Sequence, residues 1–132
     1  MEFNLKVGMK AMVEHLVGEK DTAASFGSGM VLVYATPMMI GLMENASLKA
    51  VDPYLPEGFA TVGTHLDVRH LAATPVGMQV RAEAELIEVE GKRLKFKIEA
   101  FDEKDKIGEG YHSRYIIQVD KFIQAADAKG KK

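Results

Sequence analysis

The sequence contains no cysteine, which removes disulfide frameworks, thiolate metal sites and a sulfur nucleophile together. Any nucleophile must be an oxygen. No apolar run approaches the roughly 18 residues that cross a bilayer, and the opening MEFNLKVGMK lacks the apolar core of a signal peptide. The cytoplasm is the expected location, with no membrane as partner. Neither sign of charge dominates: 17 lysines and arginines are interleaved with 19 acidic residues for a net charge of −2, so there is no basic footprint of a nucleic-acid binder. There is no internal repeat and no low-complexity segment. What is present is 47% apolar residues in a chain of 132, enough to enclose a core without cross-links or metal. One domain over residues 1–124 is expected, followed by a flexible tail over 125–132 that contains Lys129, Lys131 and Lys132.

Along the chain, residues 8–17 predict a first strand, and residues 18–29, GEKDTAASFGSG, have the small, polar, glycine-rich texture of a mobile loop. A short apolar run, Val31 to Tyr34, leads into a helix. Thr36 suits the cap and Pro37 the first helical position, and the helix runs to Val51, where Asp52-Pro53 ends it. Met38, Met39, Ile40, Leu42, Met43, Ala46, Leu48 and Ala50 give this helix apolar surface almost all round, as in a buried helix. Beyond Gly58 the period becomes two. Val62, Thr64, Leu66, Val68 and His70 form one face of a strand, with Gly63, His65, Asp67 and Arg69 on the other. Val80, Ala82, Ala84 and Leu86 form a second apolar face, and Leu94, Phe96, Ile98 and Ala100 a third; a fourth run covers residues 107–119. Turns are expected at Thr74–Gly77, Glu90–Gly91 and Glu103–Asp105. One buried helix and long strands joined by short turns predict an α+β protein in which an antiparallel sheet wraps one central helix. Its exposed strand edges call for a second copy.

Three residues stand out chemically. His70 ends the strand face turned toward the buried helix; the plainer reading is a histidine bonded to nearby backbone. Glu44 lies mid-helix among apolar side chains, where an unpaired carboxylate costs several kcal/mol; the plainer reading is a narrow polar stripe with Asn45, Ser47 and Lys49. Thr36 is sufficiently explained as a cap, although a cap hydroxyl can also face a substrate. Eight residues separate Thr36 from Glu44, a rise of about 12 Å, too far for a direct hydrogen bond. They can address opposite ends of one reacting group, with His70 supplied by the same or a partner subunit. Gly27-Ser28-Gly29 is not a nucleophile elbow, Gly108-Glu109-Gly110 is not a dinucleotide fingerprint, and His65 and His70 fall on opposite strand faces without zinc-site spacing. No metal and no cofactor is expected.

Val33-Tyr34-Ala35-Thr36-Pro37, Glu44 eight residues past the threonine, and the stretch TVGTHLDVRHLA over residues 61–72 together resemble the fluoroacetyl-CoA thioesterase-like branch of the hotdog superfamily. The similarity continues through Ala73–Gly77 and Ile107–Gly110. The resemblance implies a hotdog fold, a homodimer with continuous sheets, and hydrolysis of acyl-CoA. It implies that Thr36, Glu44 and His70 are catalytic, that Gly63 is the active-site glycine, and that Arg114 lies nearby. Met30, Met39 and Met43 are then expected around the acyl group. Arg69 is a candidate for CoA phosphate, as are Arg81, Arg93 and Lys95. In the fluoroacetyl-specific member aromatic side chains cover the acyl pocket; Gly27, Ser28, Gly29 and Met30 occupy much of that region here, so fluoroacetyl specificity is not expected. Met38, Met39, Ile40 and Met43 fill volume beside the pocket and predict a preference for short or compact acyl groups. Two other functions fit the residues: an acyl-thioester hydratase or dehydratase of the same fold, and a noncatalytic acyl-CoA-binding module.

Overall fold

The computed structural model describes residues 3–131. Five antiparallel strands, β1 (Lys10–Leu16), β2 (Phe59–His70), β3 (Gln79–Glu90), β4 (Arg93–Phe101) and β5 (Lys106–Gln118), form one sheet in the order β1-β3-β4-β5-β2. Against one face of the sheet lies α2 (Thr36–Val51). Met39, Met43, Ala46 and Ala50 are buried on this helix at spacings of four, three and four, the stripe that one helix face presents to a sheet. They meet Val80, Ala82, Ala84 and Leu86 from β3 and Leu94, Phe96, Ile98 and Ala100 from β4, all buried. Burying each of the larger side chains contributes roughly 2 kcal/mol. The alternation of β3 and β4 read from the sequence is therefore the core face.

Turn chemistry follows the sequence. Gly91, at φ +61, connects Glu90 to Arg93 across the tight β3–β4 hairpin, a conformation costly for any residue with a Cβ. The Asp102 carboxylate closes the next turn by accepting from the backbone N–H groups of Lys104 and Asp105 and from the Thr74 hydroxyl.

Four expectations change. Residues 18–29 are not an unstructured loop: a 3₁₀ turn spans Glu19–Asp21 and a short α1 spans Ala23–Phe26, because Thr22 Oγ1 accepts from Ser25 N at 3.2 Å and Gly27, at φ +94, ends the turn. Residues 125–129, expected in a flexible tail, belong to α3 (Val119–Lys129), whose first turn is capped by the Gln118 side chain. Thr36 is not the cap of α2: Ala35 holds that position and makes no side-chain cap bond, and Thr36 is already helical. Finally, β2 contains a bulge. Gly63 faces Arg114 and His65 faces Ser113, so Thr64 has no cross-strand partner. The extra residue reverses the parity of the strand, and Thr61 and Gly63 share the inner face with Leu66, Val68 and His70. Val62 and Thr64, expected on that face, are off it.

Candidate active site

Helix α2 and strand β2 run in opposite directions and meet at two places. At the start of the helix, Thr36 Oγ1 lies 2.7 Å from His70 Nδ1. The hydroxyl that sequence spacing assigned to capping is instead engaged by the histidine. His70 Nε2 is buried and, among the described residues, has no hydrogen-bond partner. Burial pushes the imidazole below its ordinary titration range, and the nearby Ala72 backbone opposes that shift. In front of the pair is a cleft of about 400 Å³, bordered by Ser28, Gly29 and Val31 of the preceding loop and by Leu71.

Two helical turns further on, half-buried Glu44 faces Gly63. A Cβ at Gly63 would stand 3.1 Å from Glu44 Oε2 and 3.0 Å from His112 Cε1, tighter than most such contacts, so glycine gives the carboxylate its room. Behind it lies a buried polar chain. Arg114 donates from Nε to Thr61 Oγ1 at 2.7 Å, from Nη2 to Thr61 O at 2.8 Å, and from Nη1 to His112 Nε2 at 3.1 Å. Thr61 Oγ1 in turn donates to Asp52 Oδ1 at 2.6 Å. Burial lowers the Arg114 pKa, and the charges of Asp52 and Glu44 counter it. The charges of two carboxylates on the helix side thus act on the guanidinium, whose hydrogen bonds all go to Thr61 and His112.

The structure brings Thr36 together with His70, and Glu44 together with Gly63 and Arg114. It does not join the two groups directly. Met39 and Met43, expected at the acyl group, are fully buried and pack against β5: a Cβ at Gly108 would come within 2.7 Å of Met39 Sδ and Cε. Met30 is 96% exposed on the loop. Arg69 is on the outer sheet face opposite Glu109, beside Asp67 and Lys97, and so points away from Thr36 and His70. Arg81 is ion-paired with Glu83. Three residues were missed in the sequence: His112, Thr61 and Asp52. His112 stands two positions before Arg114 on a strand, and that spacing alone places it on the same face. Among the described residues there is no group of three potential metal ligands and no helix long and apolar enough to cross a membrane.

The family profile described as fluoroacetyl-CoA-specific thioesterase matches residues 17–120. A fluoroacetyl-CoA thioesterase of Streptantibioticus cattleyicolor is 44% identical over 110 residues, spanning 83% of this chain and 76% of that protein. A solved structure of a fluoroacetyl-CoA thioesterase superposes with a TM-score of 0.88 at 36% identity, covering 98% of each chain. A thioesterase superfamily member from Thermus thermophilus superposes with a TM-score of 0.84 at 32% identity over 94% of each chain.

Proposed function

This chain belongs to the fluoroacetyl-CoA-specific thioesterase family and is an acyl-CoA thioesterase, and from that premise we propose that it hydrolyses short or compact acyl-CoA thioesters with Thr36, His70 and Glu44 as the reacting set. The observation that carries this reading is the Thr36–His70 pair, one ring nitrogen bonded and the other bare, at the mouth of a cleft. The thioester carbonyl lies at the start of α2. There Ala35 offers no capping side chain, and the helix dipole and free N–H groups favour developing negative charge. Glu44 supplies the attacking oxygen, its own or that of a water whose proton it takes. In either route the C–S bond breaks, and the proton given up by the attacking or hydrolysing water ends on the CoA thiolate, with His70 passing it on. The segment from Asp21 to Met30, which carries α1, closes over the acyl end, with Gly27 and Gly29 as its flexible points.

Thr36 and Glu44 are separated by about 12 Å of helix rise, and a homodimer closes that gap. β2 is the last strand of the sheet, so its outer edge is free to pair with the same edge of a second copy. Antiparallel pairing centred between Gly63 and His70 sets the Thr36–His70 pair of one protomer against Glu44 of the other. The composition fits a cytoplasmic enzyme.

Thiol release from acetyl-, butyryl-, hexanoyl- and palmitoyl-CoA tests the activity, with light scattering on the same sample. Highest kcat/KM on a short acyl group and a dimer at micromolar concentration are expected. Hydration of crotonyl-CoA without thiol release, or tight acyl-CoA binding without turnover, would replace this reading with one of its two rivals.

A further inference from the structure

We propose that His112 is a positioning residue for thioester hydrolysis, clamping the β2 bulge and the Arg114 guanidinium so that both stay aligned with the Glu44 carboxylate. The inference rests on Glu44 being a reacting group. The His112 ring is fully buried. Its Nδ1 lies 2.8 Å from the carbonyl oxygen of His65, which can only accept, so Nδ1 carries the proton. Its Nε2 lies 3.1 Å from Arg114 Nη1, which can only donate, so Nε2 is bare. The two partners together select one neutral tautomer.

Each bond has a mechanical role. His65 is where β2 resumes its register after the unpaired Thr64, so the Nδ1 bond holds the bulge that turns Gly63 toward Glu44. The Nε2 bond fixes the one Arg114 nitrogen that Thr61 does not hold. His112 Cε1 and Glu44 Oε2 both stand about 3 Å from the same point above Gly63, so they are no more than about 6 Å apart. The charged or titratable groups facing the ring are Arg114 on its own strand, Glu44 from α2 and His65 from β2; Phe96, from β4, is uncharged. Burial pushes the imidazole below the usual histidine range; Arg114 and His65 reinforce that, and the His65 carbonyl and Glu44 oppose it. A protonated ring would set N–H against N–H and cation against cation at Arg114. The neutral ring is the working form.

Two substitutions separate the bonds. His112→Asn keeps a donor near the Nδ1 position and loses the acceptor for Arg114, whereas His112→Gln places an acceptor near the Nε2 position and loses the donor to His65. Each is expected to lower kcat on acetyl-CoA by roughly 10- to 100-fold with KM within about threefold, the signature of misplaced reacting groups. Introduced into Glu44→Gln, either is expected to cost less than about threefold more, because the group it aligns is already gone. Multiplicative losses in the double variants, or a lowered Tm with kcat per folded molecule unchanged, would overturn the proposal. If Glu44→Gln alone keeps wild-type kcat, the reading of Glu44 falls and takes this one with it. If Glu44→Gln is inactive while both His112 variants turn over like wild type, only the positioning role falls. Should neither His112 variant fold, ring nitrogen NMR of the wild type decides. A bare Nε2 at the activity optimum is expected, and an Nε2–H tautomer or a protonated ring there overturns the proposal.

Discussion

The two ends of the groove between α2 and β2 differ in how fully their polar atoms are satisfied. At the Glu44 end, Arg114 makes three hydrogen bonds and His112 uses both ring nitrogens, all within buried surroundings. At the Thr36 end, His70 has one bonded nitrogen and one bare one, beside an open cleft and a loop with Met30, Val31 and Leu32 exposed. A saturated network holds charge in place and resists rearrangement. An unsaturated imidazole can exchange a proton. In the proposed mechanism the first end is the fixed electrostatic support and the second the proton-transfer station.

The comparison is broken most severely by removing the exchanging nitrogen. His70→Ala is expected to lower kcat/KM by at least roughly 100-fold, the scale for losing an acid/base group, while His65→Ala stays within about threefold of wild type. His65 contributes its carbonyl to the network, which the substitution leaves intact. Thiol-release kinetics on both variants check this, and equal losses would contradict it. At the saturated end, Gly63→Ala puts a methyl against Glu44 Oε2 and His112 Cε1, displacing the carboxylate by a few tenths of an ångström. A roughly tenfold fall in kcat with Tm nearly unchanged is expected; an unaltered kcat would show that this crowding does not matter.

The smallest effect sharpens the comparison through pH. Thr36→Val removes one hydrogen bond to His70, worth about 1 kcal/mol or roughly fivefold in rate. In the wild type, burial depresses the His70 pKa; the neutral form thus survives to more acidic pH, and activity is lost only below the ordinary histidine midpoint of about 6.5. An acid limb of kcat/KM at or above that value would mean that His70 is not the group whose protonation stops turnover.

Much of this arrangement was legible in the residues, for identifiable reasons. The period of β3 and β4 survives intact because both strands bury one continuous face, and the end of α2 at Val51 was marked by Asp52-Pro53. The inner face of β2 was legible only after the bulge: nothing in the type of Thr64 marks it as the extra residue, so Gly63 was expected opposite His70 and lies on the same side. Thr36 was legible as a polar residue at a helix start, but its partner was not, because the contact with His70 spans 34 positions and depends on how α2 crosses the sheet. His112 was overlooked since a lone histidine within a strand resembles any other until Arg114 and His65 converge on it.

The most direct test is complementation between two disabled proteins. If Glu44 of one protomer works with Thr36 and His70 of the other, Glu44→Gln and His70→Ala subunits co-expressed in equal amounts form heterodimers with one intact site. Random pairing then restores about a quarter of wild-type thiol release. Activity no higher than that of the two separate variants, in a sample shown to contain heterodimers, would contradict the account.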